Sequence, residues 1–382
     1  MPRSHLFGPE HDEFRGTVRR IVEKEIRPHV EAWEEAQQFP RDLFARFGAL
    51  DLLGLKYPEP YGGTDAGVLY EAVLFEELAR CGSAGVAAGI GAHVAIATPP
   101  LFQFGTEEQR RRWLAPAIKG EKIVALGVTE PSGGSDIAHV EMTARRDGDA
   151  YVVNGSKMFI TNGVQADVVV LLARTMPEGG HHGLSMLVAE RGTPGFSVGR
   201  KLNKLGWRAS DTAELVFQDC RIPVDNRLGE ENRGFYLAVA NFEWERLWIA
   251  LGAVEAAQRS MELAIDYAGN RVQFGKTLSS MPIIRHKLAD MALMIEQARQ
   301  LTYHAVWLHT QKVPCGKEVA MAKVAATEAD VKAADQSLQI HGGYGYMMEY
   351  PIQRAWRDAR LGPIGAGTNE IMREIIAKEM DL

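Results

Sequence analysis

Cysteine is scarce in this chain. Of 382 residues only Cys81, Cys220 and Cys315 are cysteines, widely spaced and odd in number, so neither a disulfide framework nor a CxxC metal site is indicated and a reducing compartment fits best. No HExxH and no Gly-x-x-x-x-Gly-Lys-Ser/Thr occurs, which removes zinc hydrolysis and P-loop chemistry. The nearest approach to a dinucleotide fingerprint, Gly89-Ile90-Gly91-Ala92-His93-Val94, lacks the third glycine and lies in a helical stretch, which disfavours a nicotinamide-binding Rossmann unit. Basic excess is also missing: the formal net charge is −6, which offers no stripe for nucleic acid or an anionic membrane, though a local cationic pocket for a phosphate is compatible with it. The start, Met1 to Gly8, has no long apolar core, and no later run reads as apolar over the roughly 18 residues of a membrane span. The expectation is a cytoplasmic protein with neither a processing segment nor a membrane span. No internal repeat or low-complexity linker is visible.

What is present is enough apolar material, 46% of 382 residues, to bury a large core and build two or three domains. From Pro9 to about Lys122, Phe14, Val18, Ile21, Val22 and Ile26 recur at three- and four-residue steps with charges between them, and breaks at Phe39-Pro40, Pro58 to Gly63 and Pro99-Pro100 divide the region into five or so helices. Between about Ile123 and Leu228 the texture turns to short β-branched runs: 150–153, 168–172, 184–188 and 213–217. Asn-Gly, Gly-Gly and Pro-Gly turns separate them, the spacing of an antiparallel sheet. From Gly234 onward come Ala-rich helical stretches at about 234–268, 281–311, 317–340 and 367–379, a four-helix bundle by count. The fold class expected is therefore α+β, with a helical domain over 1–122, an antiparallel β domain over 123–233 and a four-helix-bundle domain over 234–382.

Three separated blocks carry the chemistry. They are Val128-Thr129-Glu130-Pro131-Ser132-Gly133-Gly134-Ser135-Asp136; Phe159-Ile160-Thr161-Asn162-Gly163; and Gln339-Ile340-His341-Gly342-Gly343-Tyr344-Gly345-Tyr346 followed by Arg357-Asp358-Ala359-Arg360 and Gly367-Thr368-Asn369-Glu370-Ile371. Taken alone, the first block reads more readily as an Asp/Ser-rich turn between domains than as a site that offers backbone N–H groups and hydroxyls to a ring edge or an anion. In this order the three resemble the signature of flavin-dependent acyl-CoA dehydrogenases, from about residue 10 to the C-terminus. The resemblance implies FAD as cofactor and acyl-CoA as substrate. Leu126, Val128, Thr129 and Gly134 would contact the flavin, Ser135 the flavin and the CoA arm, and Phe159, Ile160 and Thr161 would flank the isoalloxazine, Phe159 replacing a frequent tryptophan as stacking surface. Arg271, Gln273 and Phe274 would reach the FAD of a neighbouring subunit, Arg271 being suited to a pyrophosphate. Gln339, Gly342, Gly343, Thr368 and Glu370 would complete the cofactor site, and Glu243, Arg246, Ser135 and Gly367 would bind substrate. No metal is implied.

Ala366 stands where this family most often keeps its catalytic glutamate. Removing the α-proton of an acyl thioester while the β-hydrogen leaves as hydride requires a carboxylate base. The isovaleryl-CoA and long-chain relatives carry a small residue at this position and place the base in a Glu-Arg-Leu triplet on an earlier helix, which Glu245-Arg246-Leu247 matches. At roughly 100° per residue Glu243 and Glu245 project ~160° apart, so only one can face a site, but the helix is apolar nearly all round and periodicity does not choose between them. The family match selects Glu245 as the base and leaves Ala366 a backbone N–H able to stabilise enolate charge. By the same resemblance Ala88, Gly89, Ala92, Thr98, Gly365 and Ala366 would line a wide acyl pocket, the partners would include an electron-transferring flavoprotein, and the chain would form a homodimer or homotetramer. An oxidase passing electrons to oxygen and a catalytically inactive flavin-binding homologue are the rival readings.

Overall fold

A computed structural model describes residues 6–382; Met1 to His5, part of the start read above for a targeting segment, lie outside the described residues. The first third is helical: α1 (Pro9–Glu25), α2 (Val30–Ala36), α3 (Asp42–Ala49), α4 (Val68–Ala79), α5 (Ala84–Gly91), α6 (Thr98–Phe104), α7 (Glu107–Gln109) and α8 (Ala115–Ile118). Two π-helical turns, Ala92–Ala97 and Arg110–Leu114, bridge α5 to α6 and α7 to α8, widening the helix locally where periodicity gives no warning. The stretch Ala84–Phe104 corrects one expectation: it is a helix of 21 residues, long and apolar enough to cross a membrane by composition, but 78% of its most apolar window is buried inside the fold.

Residues 124–228 form a sheet in the order β6-β7-β3-β2-β4-β5-β8, from strands β1 (Val124–Gly127), β2 (Thr143–Asp147), β3 (Ala150–Thr161), β4 (Val168–Arg174), β5 (Leu184–Glu190), β6 (Phe196–Lys201), β7 (Thr212–Pro223) and β8 (Arg227–Leu228). The pairing is antiparallel except where β4 meets β1 and one residue of β2, which run parallel to it. Val168 to Ala173 are buried on both faces, because helices of the first third close one side of the sheet with Leu101, Trp113, Leu114 and Ile118.

The last third comprises α9 (Gly234–Val239), α10 (Phe242–Asn270), the short β9 (Val272–Gln273) and β10 (Lys276–Thr277), α11 (Pro282–Thr310), α12 (Gly316–His341), α13 (Pro351–Ala359) and α14 (Asn369–Lys378). The helix expected over about 234–268 is broken at Ala240 and Asn241, and α13 is an element that the apolar pattern does not announce. One apolar cluster runs from α1 and α4 through α10, α11 and α12, so the N-terminal helices and the bundle share a core. Buried polar contacts cross the same boundary: Tyr303 of α11 donates at 2.6 Å to Glu76 of α4, which also pairs with Arg15 of α1 at 2.6 Å, and Glu255 of α10 takes both Arg80, just after α4, and Arg299 of α11.

Candidate active site

The structure separates the two glutamates of α10. Glu245 is buried, 6% exposed, and its one hydrogen-bond donor is the Nδ2 of Asn241, one helical turn earlier, at 3.0 Å. That same amide donates to the carbonyl of Ala95 at 2.7 Å, which fixes it against the first π-helical turn. No ion pair reaches Glu245 among the described residues, and burial pushes its carboxyl up to about 7, against a smaller opposing pull from Asn241 and Arg246. Glu243 lies elsewhere. It is half-buried, faces His309 Nδ1 at 3.4 Å and Cys315 Sγ at 3.7 Å, and the bond to His309 holds its carboxyl below the usual range. Glu243, His309 and Cys315 thus gather ligand-type atoms within 4.8 Å of one another, a cluster that sequence spacing does not reveal because its members are 66 and 72 residues apart.

Arg246 turns toward the C-terminal loop. Its guanidinium lies 5.3 Å from the Phe242 ring and near Gly367, where a Cβ would be 3.9 Å from Nη2, and its buried Nε has no hydrogen-bond partner among the described residues. Opposite, Lys323 of α12 donates to the Gly367 carbonyl at 2.8 Å and to Asn369 at 3.0 Å. This loop is wound tightly: Ala366 has φ +53° and Gly367 φ +89°, successive left-handed residues. Among the described residues neither backbone N–H finds an acceptor. Thr368 then caps α14 by accepting from the N–H of Ile371 at 3.3 Å, and exposed Glu370 sits in the first turn.

A second group forms at the end of β3. Its register against β7 steps from Lys157 opposite Leu215 to Ile160 opposite Ala213, three residues against two, which is a bulge. Within it Phe159 takes φ +61° and turns outward, 66% exposed, while Ile160 stays in the core and Thr161 is half-buried at the strand end. The loop Val128 to Met142 is held against the bulge. Lys157 donates to Glu130 at 2.7 Å and to the Val128 carbonyl at 3.1 Å, the N–H of Met158 donates to the Thr129 carbonyl at 2.8 Å, and Glu130 accepts the N–H groups of Glu141 and Met142. Half-buried Leu126, Val128 and Thr129 therefore sit along one edge beside Phe159 and Ile160, with Gly134 against Thr129 and Ser135 exposed.

Arg271, Gln273, Gly342 and Gly343 line a third feature, an open cleft of about 500 Å3 that also takes in Tyr267 and Tyr344. The Arg271 guanidinium lies 5.5 Å from the Tyr344 ring, and a Cβ at Gly342 or Gly343 would meet nothing within 4 Å and project into free space. Phe274, at φ +52° on the hairpin tip, is 95% exposed, and Gln339 is exposed on the last turn of α12. Two residues expected in an acyl pocket are buried and engaged in contacts within the fold. Thr98 bonds Tyr57 at 2.9 Å and the His93 carbonyl at 3.0 Å, and Gly89 packs on Phe39 while its carbonyl accepts from Asn162 at 2.8 Å.

Residues 8–121, 125–220 and 232–380 match, in turn, the N-terminal, middle and C-terminal domain families of acyl-CoA dehydrogenase. The chain belongs to the acyl-CoA dehydrogenase family. It is 41% identical to the mitochondrial long-chain specific acyl-CoA dehydrogenase of Sus scrofa over 98% of this chain and 87% of that one. Against the short-chain specific enzyme of Homo sapiens identity is 40%, over 96% and 89%. The crystal structure of an acyl-CoA dehydrogenase from Geobacillus kaustophilus superposes with a TM-score of 0.97 at 43% identity, covering 99% and 100%. As an acyl-CoA dehydrogenase the protein is a flavin-dependent oxidoreductase of fatty acid metabolism, and FAD is its cofactor. The residues fit such a group: an outward aromatic face on a bulge, and a cleft floored by glycines beside an arginine. Sequence reasoning did not single out Asn241 as the partner of Glu245, although its place one turn before that residue is a signal; Lys157 and Lys323, whose partners are remote in sequence, left none.

Proposed function

We propose that this acyl-CoA dehydrogenase desaturates acyl-CoA thioesters between the α and β carbons with Glu245 as the base. The observation that carries this reading is the burial of Glu245, unpaired with any cation among the described residues, in a chain that has alanine at 366. A carboxylate raised to about 7 is a stronger base than an ordinary glutamate and is still substantially ionised at neutral pH. Asn241 aims it and keeps it from becoming still harder to ionise, since its N–H donates to the charged form. The free N–H groups of Ala366 and Gly367 are suited to receive the thioester oxygen as enolate charge develops, and Lys323 holds the loop that presents them. Arg246 would place its unpaired guanidinium against the substrate next to the same loop.

FAD supplies the hydride acceptor when bound. Val128, Thr129, Phe159, Ile160 and Thr161 would seat its ring, and Arg271, Gln273, Phe274, Gly342 and Gly343 would serve the cofactor of a neighbouring subunit, which makes the working unit a dimer or tetramer. An electron-transferring flavoprotein would take the electrons. Anaerobic titration of the holoenzyme with butyryl-, isovaleryl-, octanoyl- and palmitoyl-CoA tests the reading: flavin absorbance should bleach with at least one of them, and a yellow protein bleached by none overturns it. The long-chain or branched-chain branch is proposed from the Glu-Arg-Leu triplet, and a clear maximum of kcat/KM at butyryl-CoA would contradict it.

A further inference from the structure

Beyond Glu245, α10 borders a cavity of about 280 Å3. Trp248, Ile249 and Gly252 line it from the helix face that carries Glu245, and Ala84, Ala88 and Trp207 close much of the rest. Trp248 has room there only because residue 91 is glycine, where a Cβ would come within 2.4 Å of the indole. With a rise of about 1.5 Å per residue, Gly252 is roughly 10 Å along the helix from Glu245.

The same cavity is lined from α12 by Asp330. This carboxyl is 7% exposed, and among the described residues it has no hydrogen-bond or ion-pair partner. The other charged groups nearby are engaged. Asp358 accepts from the N–H groups of Ala84 and Trp207, Arg354 donates to the Gly82 carbonyl and to Glu31, and Arg80 is held by Glu255 and Glu262. α10 and α12 run side by side in the same direction, since Arg246 and Lys323 meet the Gly367 loop near their starts and Tyr267 stacks on His341 at 4.3 Å near their ends. Asp330 follows Lys323 by the same number of residues that separate Gly252 from Glu245, so it too stands roughly 10 Å from the reacting end. Burial, with Asp358 adding to it, pushes the Asp330 carboxyl well above the ordinary range, which favours the neutral form, a group able both to donate and to accept.

A buried carboxyl without a partner is costly to keep, and a plain methylene chain offers it nothing. We propose that this cavity takes acyl chains bearing a neutral hydrogen-bonding group, a hydroxyl in the first instance, far from the thioester, and that Asp330 recognises that group. Three bonds of an extended chain span about 3.6 Å, so 10 Å corresponds to about eight bonds. A distal carboxylate is the poorer partner: it would enter beside Asp330 and Asp358, and among the described residues Arg80, Arg259 and Arg354 of the lining are already paired with carboxylates, leaving only exposed Arg27, which donates to the Arg80 carbonyl. The inference rests on Glu245 marking the reacting end of the site.

The test compares decanoyl-CoA with 10-hydroxydecanoyl-CoA on the holoenzyme, by kcat/KM and by calorimetric binding of the corresponding non-reacting CoA thioethers. Wild type should favour the hydroxylated chain at least tenfold in both measurements. Asp330→Leu should remove that preference while leaving decanoyl-CoA unchanged or improved, and Asp330→Asn, which keeps a polar group of similar size, should retain part of it and guards against misfolding of the leucine variant. Equal effects of Asp330→Leu on both chains, a wild-type preference for decanoyl-CoA, or tighter binding of a chain ending in carboxylate would each overturn the proposal. Failure of the Glu245 assignment would appear differently, as loss of selective dependence of flavin bleaching on Glu245, with thioether binding still reporting on Asp330.

Discussion

At the scale of single residues, the decisive contrast is between two glutamates two positions apart. Glu243 has a histidine and a thiol beside it and partial access to solvent, whereas Glu245 has one amide and a dry surround. Glu245→Gln should therefore retain FAD and fold while lowering the rate of flavin reduction by three orders of magnitude or more, about 4 kcal/mol of barrier; Glu243→Gln should stay within about tenfold of wild type. Stopped-flow reduction at 450 nm decides it, and an essential Glu243 with a dispensable Glu245 would refute the assignment. The pH dependence follows from the raised pKa. Because the ionised form works as base, kcat/KM should fall about tenfold per unit below pH 7, and Asn241→Leu, which removes the donor to the carboxylate, should move that limb to higher pH. Stability has the opposite sign: a carboxyl raised from 4.5 to about 7 favours the fold fully below its unfolded pKa, and this is lost as pH rises through 7. Glu245→Gln should then raise the melting temperature more at pH 8 than at pH 5, by up to on the order of 3 kcal/mol of stability, and an equal change at both would show that the carboxyl is not buried in this way.

At the scale of elements, the bulge in β3 does its work through a buried ion pair. Lys157 and Glu130 are 2.7 Å apart with almost no solvent access, and Glu130 in turn gathers the N–H groups of Glu141 and Met142, so the loop carrying Val128 and Thr129 depends on that carboxylate staying charged and matched. Removing one partner strands the other charge, a loss of roughly 3–5 kcal/mol. Lys157→Met should accordingly lower the melting temperature and the flavin-to-protein ratio together, while Lys157→Met/Glu130→Gln should recover part of both; full flavin retention in the single variant would mean that the loop is fixed by other contacts. Elements of this sort also mark where the sequence stops being legible. The long helices could be read because their apolar residues recur with helical spacing, and the strands because Val168 to Leu172 and Leu184 to Val188 are apolar runs of strand length. α13 could not be, since much of what it buries is polar: Gln353, Arg354 and Asp358, bonded to carbonyls, a carboxylate and N–H groups on distant segments. The same holds in the site. The Glu-Arg-Leu triplet pointed to Glu245, but its burial and the exposure of Glu243 depend on which side of an all-apolar helix meets α4, α5 and the π-helical turn, which no periodicity records.

At the scale of the whole molecule, the chain has an open cleft and an apolar surface beside it. Arg271, Gln273, Gly342 and Gly343 converge on a space that the described residues do not fill, and Phe274, Tyr346 and Met348 stand exposed near it. A phenylalanine that is 95% exposed on a left-handed hairpin residue contributes nothing to its own subunit's core, so its loss should leave monomer stability unchanged. If the cleft serves the cofactor of a neighbour, Arg271→Ala and Phe274→Ser separate the two contributions. Losing a charge-assisted bond to phosphate costs roughly 1.5–3 kcal/mol, so Arg271→Ala should weaken FAD retention about ten- to a hundredfold with the oligomer intact. Phe274→Ser should shift the assembly toward smaller species on dilution, with flavin released in step. Light scattering across a dilution series, read alongside the ratio of flavin to protein absorbance, distinguishes these outcomes, and a monomeric variant with full flavin occupancy would show that each subunit holds its cofactor alone.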